Sequence, residues 1–239
     1  MAPILEVKGI DAGYGKLQIL FNVSMEVEPR DIFVIVGPNG SGKSTLLKTI
    51  FGLTRIYKGS IRFNGEEITG KPPHDIAKTG VAYLPQTDNI FAQLTVAENL
   101  KMAAYTLPSD LAEDRMSEVL DRFPLLKARL KDKAMTLSGG QRQILAMAMS
   151  LIRKPKLMLF DEPTAALAPK LAAEILDEII KLRDELGITI ILVEQNAKKA
   201  LQMGDKALLL VGGRVMYRGG ARELLEHPEL GTLYLGLKK

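Results

Sequence analysis

Ile32 to Val36 reads IFVIV, an unbroken apolar run, and it leads directly into GPNGSGKST, Gly37 to Thr45. A run without polar alternation suits a strand buried on both faces, as in a parallel sheet. After the glycine-rich bend, Leu46, Leu47, Ile50 and Phe51 recur at helical spacing. Strand, bend and helix in that order restrict the chain to folds in which a buried strand hands over to a helix at the rim of a sheet. The alternation returns further on. LMLF ends at Phe160, and Leu171, Ile175, Leu176, Ile179 and Ile180 then stripe a helix. ITIILV, the short helical stretch AKKALQM and the run KALLLV follow. The fold class expected is α/β around a parallel sheet.

Two regions break this rhythm. Near the start, ILEVKGI and FNVSMEVEP alternate, with a turn expected at Gly13-Tyr14-Gly15. GSIRFNGEEI alternates around Asn64-Gly65, a hairpin signal. From 87 to 152 the period becomes helical. Thr95 and Glu98 have capping-box spacing before Leu100, Ala103 and Ala104, and Ala112, Met116, Val119, Leu120 and Phe123 continue the stripe. We expect one domain over 1–239, with a core of 1–86 and 153–239 and a helical insertion at 87–152.

Composition limits the partners. The 239 residues carry a net charge of +4, and the basic residues are dispersed rather than gathered into a nucleic-acid tract. No cysteine is present, so disulfides and thiolate metal sites are excluded. MAPILEVKGI is too short and polar for a signal peptide, and no apolar run approaches the ~18–20 residues of a membrane span. A membrane role would have to come through a partner.

The bend fits G-x-x-x-x-G-K-[ST]. Gly37, Pro38, Asn39, Gly40, Ser41 and Gly42 allow backbone N–H groups to turn inward around a phosphate, and the following helix adds its positive end. Lys43 is the point charge for the β and γ oxygens, and Ser44, beside Thr45, offers a hydroxyl to Mg²⁺. Asp161 and Glu162 end the LMLF strand. Alone they would read as an acidic turn. With the phosphate bend, Asp161 becomes a Mg²⁺ holder and Glu162 the residue that orients an attacking water. In LSGGQ, Ser138 and Gln141 have capping-box spacing, and Gly139 and Gly140 bare the backbone. A capped helix and a second anion site are both compatible with that pattern.

The chain resembles the ATP-binding subunits of ABC transporters along essentially its whole length. GPNGSGKST looks like Walker A, Gln86 in YLPQT like the Q-loop glutamine, LSGGQ like the signature motif and LMLFDE like Walker B. The resemblance implies a P-loop NTPase (RecA-like) core with an N-terminal antiparallel β subdomain and an inserted all-helical subdomain. It implies ATP and Mg²⁺ as cofactors, Tyr14 as the aromatic against adenine and Gln86 as a Mg²⁺ and γ-phosphate sensor. It also implies a head-to-tail dimer in which Ser138, Gly139, Gly140 and Gln141 of one chain close on the nucleotide of the other. Phe91 and Leu94 are the candidates for gripping a membrane partner, against a reading in which Phe91 tucks into the helical block.

Two departures narrow the likeness. Where the family usually places histidine after the strand beyond Walker B, this chain has Gln195, an amide that donates a hydrogen bond but does not titrate. The alternative is a plain loop residue, with Asn196 capping the next helix. The loop after Walker B reads TAALAP, with Ala168 where aspartate is frequent. VEQN and LAP together resemble one ATPase subunit of branched-chain amino acid importers. That implies a second ABC ATPase subunit, identical or different, two membrane permeases and, indirectly, an external solute-binding protein, with no nucleic acid. The place expected is the cytoplasmic face of the membrane, peripherally bound. Urea-type importers and a soluble cluster-assembly ATPase stay open as alternatives. The end at Lys239 leaves little room for a regulatory C-terminal domain.

Overall fold

The computed structural model describes residues 2–87 and 89–227, so Lys239 lies outside the described residues. Two compact units divide the chain. Among the described residues, one holds 2–83, Lys156–Glu162 and 179–227; the other holds Leu84–Pro155 and Pro163–Glu178. The second unit therefore begins and ends a little beyond the 87–152 insertion and takes a further piece after Glu162.

The strands, in chain order, are β1 (Leu5–Tyr14), β2 (Leu17–Val27), β3 (Ile32–Val36), β4 (Arg55–Phe63), β5 (Glu66–Glu67), β6 (Val81–Leu84), β7 (Leu157–Asp161), β8 (Thr189–Val193), β9 (Lys206–Val211) and β10 (Arg214–Gly220). Four form an antiparallel sheet ordered β2-β1-β4-β5, and six form a second sheet ordered β10-β9-β3-β8-β7-β6. β3 runs parallel to both β8 and β9, and β7 runs parallel to β8. Every residue of β3, β7 and β8 is buried, which is why these runs carry no polar alternation. β10 pairs antiparallel with β9 at the edge and alternates in burial; the sequence reading did not anticipate it.

Helix α1 (Lys43–Ile50) touches strands of both sheets. Its Leu46, Leu47 and Ile50 join Phe33, Ile35, Leu5, Ile10 and Phe63 in one core. Each such side chain contributes roughly 1.5–3 kcal/mol on burial. Asn64 and Gly65 both have positive φ, 49° and 79°, and close the expected β4–β5 hairpin. The first turn corrects the sequence expectation. Tyr14 pairs with Leu17, so the bend is Gly15-Lys16, and Gly13 lies within β1. A Cβ on Gly13 would sit 2.0 Å from the Leu17 carbonyl oxygen; that glycine serves a close strand approach, not the turn.

The short helix α2 (Pro73–Lys78) precedes β6. The second unit contains α3 (Val96–Ala104), α4 (Ser109–Arg122), α5 (Pro124–Lys127), a 3-10 turn at Ala134–Thr136, and α6 (Gly139–Leu151). The expected capping box opens α3: Thr95 Oγ1 accepts from Glu98 N (3.2 Å), and Glu98 returns an acceptor to Thr95 N (2.7 Å). Fully buried Asn99 pins the loop before it. Its Oδ1 accepts from Phe91 N (2.8 Å), and its Nδ2 donates to the carbonyls of Phe91 (3.0 Å) and Thr95 (2.9 Å). α7 (Pro169–Leu186) contributes its first turns here, where Arg122 on α4 pairs with Glu178 at 2.9 Å. α8 (Ala197–Met203) and α9 (Ala221–Glu226) complete the chain order in the first unit.

Candidate functional site

Sheet register decides what meets at the rim. Val193 of β8 lies opposite both Ile35 of β3 and Asp161 of β7. Gly37, Glu162 and Gln195 therefore emerge within one or two residues of the same line across three adjacent strands. In an α/β sheet this carboxyl edge is where ligands bind.

The bend after β3 depends on its glycines. Gly37 has φ 153°, and a Cβ there would fall 2.0 Å from the Leu210 carbonyl oxygen. Gly42, φ 100°, is the N-cap of α1 and supplies no side-chain cap; the first turn carries no acidic residue. The N–H groups of that turn, which no intrahelical carbonyl can satisfy, are left to an anion. Lys43 is 5% exposed, and its Nζ donates to the carbonyls of Gly37 (3.0 Å) and Pro38 (3.1 Å). Burial pushes its ammonium below the ordinary lysine range, while Glu162 and Asp161 pull it back up. Buried Ser41 leaves its Oγ without a hydrogen-bond partner among the described residues. Pro38, Asn39 and Gly40 are exposed; Thr45 is buried.

Asp161, 4% exposed, closes β7. Its Oδ1 accepts from Ser44 Oγ at 2.7 Å and its Oδ2 from the Tyr83 hydroxyl at 3.0 Å. Tyr83 stacks against Phe51 with ring centroids 5.6 Å apart. Burial, then the Asp161 charge, holds its hydroxyl well above the usual phenol range. Glu162 follows at φ 49°, left-handed for a residue with a Cβ, and its N–H donates to Val193 O at 2.9 Å. Such a conformation costs about 1–3 kcal/mol and persists where the surroundings over-determine it. No cluster of three or more His, Cys, Asp or Glu that could hold a metal occurs among the described residues. A hard-oxygen pair such as Ser44 and Asp161 nevertheless fits Mg²⁺, which keeps waters and takes one or two carboxylates beside substrate phosphates.

Gln195 is exposed beyond β8, and its carbonyl accepts from Ala197 N at 3.0 Å. Asn196 caps α8, accepting from Lys199 N at 3.2 Å. The capping role thus belongs to Asn196, and the Gln195 side chain stands at the rim. Tyr14, 43% exposed, stands at the end of β1. The bend beside it is held by Tyr57, whose hydroxyl donates to the carbonyls of Gly15 (3.1 Å) and Leu17 (3.3 Å).

The remaining expected residues belong to the second unit. Ser138 caps α6: its Oγ accepts from Gln141 N (3.3 Å), and Gln141 Oε1 accepts from Ser138 N (3.0 Å). A Cβ on Gly139 would lie 2.8 Å from Leu167 Cδ2; Gly140 is buried. Gln86 is exposed beyond β6. Phe91 is 49% exposed rather than tucked away. Lys43, Ser44, Asp161, Glu162, Gln195 and Tyr14 are thus gathered in one unit, and Gln86 and Ser138–Gln141 in the other.

The family profile described as ABC transporter matches residues 20–165, from β2 through the bend to just past β7. This chain belongs to the ABC transporter family. It is an ABC ATPase, a nucleotide-binding cassette that hydrolyses ATP. It is 54% identical to the probable branched-chain amino acid transport ATP-binding protein LivF of Archaeoglobus fulgidus, over 98% of this chain and 99% of that one. It is 42% identical to the high-affinity branched-chain amino acid transport ATP-binding protein BraG of Pseudomonas aeruginosa, over 98% and 100%. Among solved structures, a nucleotide-free ATP-binding cassette from an ABC transporter superposes with a TM-score of 0.86 at 27% identity, over 99% and 100% of the two chains. An ABC cassette in its ADP conformation gives 0.86 at 28%, over 96% and 97%. The α/β core with its antiparallel sheet and helices is the ABC cassette fold. Tyr83 was not among the residues expected from sequence. The one available signal was an aromatic residue in a strand three positions before Gln86.

Proposed function

We propose that this ABC ATPase powers the uptake of branched-chain amino acids through membrane-spanning partner subunits. Full-length identity of 54% and 42% to two ATPases named for that transport is the observation that carries the reading. No helix among the described residues is long and apolar enough to cross a membrane. Two permease subunits would carry the solute path, a second ABC ATPase subunit would complete the nucleotide sites, and a solute-binding protein would deliver from outside. The chain would sit peripherally on the cytoplasmic face, with exposed Phe91, and Leu94 nearby, turned to a permease.

The mechanism assigns each residue a task. The Gly37–Thr45 bend and the open start of α1 cradle the triphosphate, and Lys43 leaves its two carbonyl partners for the β and γ oxygens. Tyr14 stacks on adenine. Ser44 and Asp161 would hold Mg²⁺, which would neutralise charge on the phosphates. Glu162 orients the attacking water, and the Gln195 amide donates to the γ-phosphate. Ser138, Gly139, Gly140 and Gln141 meet the γ-phosphate held by the facing protomer. Phosphoryl transfer asks for positioning and charge stabilisation, which these groups supply.

Turnover by the purified chain tests the catalytic part. Glu162→Gln should lower it about 10²- to 10⁴-fold while nucleotide still binds. Gln195→Ala should slow turnover and leave affinity near normal. Undiminished hydrolysis in Glu162→Gln would contradict the assignment. For the solute, the assembled transporter in vesicles should take up leucine, and not urea, when ATP is present; urea uptake would overturn that part alone.

A further inference from the structure

We propose that Gly213, in the turn between β9 and β10, is a positioning residue that holds the Gly37–Thr45 bend in its phosphate-receiving shape by tying it to β2. The inference rests on the reading that this bend takes the triphosphate. Its own basis lies behind the bend. The Gly213 N–H donates to the Ser41 carbonyl at 2.9 Å, and the Gly213 carbonyl accepts from Phe21 N at 2.9 Å. One buried glycine thus joins the middle of the bend to β2 through both of its backbone polar groups. Arg214 adds to the join from the next position, its guanidinium 4.7 Å from the centre of the Phe21 ring.

The hairpin by itself explains only part of this arrangement. Val211 pairs with Arg214, so Gly212 and Gly213 form a two-residue turn, and their φ values of 54° and 74° suit the primed turns of hairpins. Asparagine or aspartate would also serve such a turn. A Cβ at Gly212 would meet nothing within 4 Å, but one at Gly213 would fall 1.8 Å from the Ile19 carbonyl oxygen. The second glycine therefore answers to β2 and not to the turn alone. β9 and β2 back the bend elsewhere too. A Cβ on Gly37 would strike the Leu210 carbonyl, and one on Gly42 would come 3.0 Å from Leu20 Cδ2 and 3.4 Å from Ile19 Cγ2. The bend needs such backing. Gly37, Gly40 and Gly42 all take positive φ, and glycine loses more freedom on ordering than any other residue. A bend fixed beforehand spares an incoming phosphate that ordering cost.

Gly213→Ala and Gly212→Ala put the same methyl into neighbouring left-handed positions, and only the first pushes on Ile19. Both full-length chains are titrated with ATP and Mg²⁺ by calorimetry, and amide hydrogen exchange is followed without nucleotide. Fixing one freed residue again on binding is worth about 10-fold in affinity. Gly213→Ala should therefore bind ATP about 10-fold more weakly, with bend amides exchanging faster and those of β7 and β8 at the native rate. Gly212→Ala should stay within about twofold of the native affinity. Equal affinities in the two variants, or faster exchange spread evenly over β7, β8 and the bend, would overturn the inference. Should Gly213→Ala not fold, Arg214→Gln loosens the same join. A fall of about two- to fivefold in affinity with faster bend exchange then supports the inference, and native values for both overturn it. Native bend exchange in Gly213→Ala beside weakened binding in Lys43→Ala would sink the inference alone. Equal binding in Lys43→Ala and the native chain would sink the phosphate reading first.

Discussion

Helices α1 and α6 both open in glycine-rich stretches, yet the first N–H groups of each are met in opposite ways. α1 begins at Gly42, with no side-chain cap and no acid in its first turn. α6 begins at Ser138, and Ser138 and Gln141 cap each other's backbone N–H groups. One start is open and must find its acceptor in a ligand; the other is closed by its own side chains. The α1 bend is therefore built for an anion, while the α6 start is stable by itself and offers a phosphate only its remaining donors. A glycine-rich helix start alone does not separate these cases. The residue at the cap does.

Glycine substitutions should break the comparison most sharply. Gly37→Ala places a Cβ 2.0 Å from the Leu210 carbonyl oxygen at a φ of 153°, so the bend must shift. We expect a loss of about 1–3 kcal/mol in stability, read by denaturant unfolding, together with weaker nucleotide binding. Gly140→Ala in α6 meets Leu171 Cδ2 at 3.5 Å, an ordinary contact, and should instead hold or raise stability, because alanine favours helix over glycine by about 1 kcal/mol. Ser138→Ala comes next. Loss of the cap should cost about 1 kcal/mol and leave nucleotide affinity of the isolated chain unchanged. A fall in that affinity would show that the closed start is not closed.

The smallest effect sharpens the same contrast through pH. α3 closes its start with a titratable acid, Glu98, whose carboxyl is held below the usual range by the Thr95 backbone N–H and then the Thr95 hydroxyl. A depressed pKa means stability present above the ordinary value of 4.5 and lost as pH falls through the folded value. Acid titration of the thermal midpoint should therefore show a small decline below about pH 4.5 that Glu98→Gln removes. An identical acid profile in both proteins would remove Glu98 from the cap's energetics.

The parallel strands were legible because burial on both faces leaves no polar alternation to confuse with anything else. β10 was not, because it is half exposed at the sheet edge and ends in Gly219-Gly220. The turn near Tyr14 was misplaced by two glycines with different jobs: Gly15 bends the chain, and Gly13 admits a neighbouring carbonyl. Both capping boxes were readable, since they involve residues three apart. The stripe on α7 gave the helix but not its ion pair with α4, in which Arg122 and Glu178 meet across 56 residues. At the site, Ser44 and Asp161 were identifiable separately because each belongs to a short motif. The Tyr83 contact spans 78 residues and belongs to none, so only the folded sheet reveals it.

The central claim is that the open bend at Gly37–Thr45 grips a nucleotide's phosphates through Lys43. Calorimetric titration of the folded chain with ATP and Mg²⁺ tests it most directly. The native protein should bind, and Lys43→Ala should weaken binding about 10- to 100-fold, the value of hydrogen bonds to a charged group. Equal affinity in the two proteins would contradict the account.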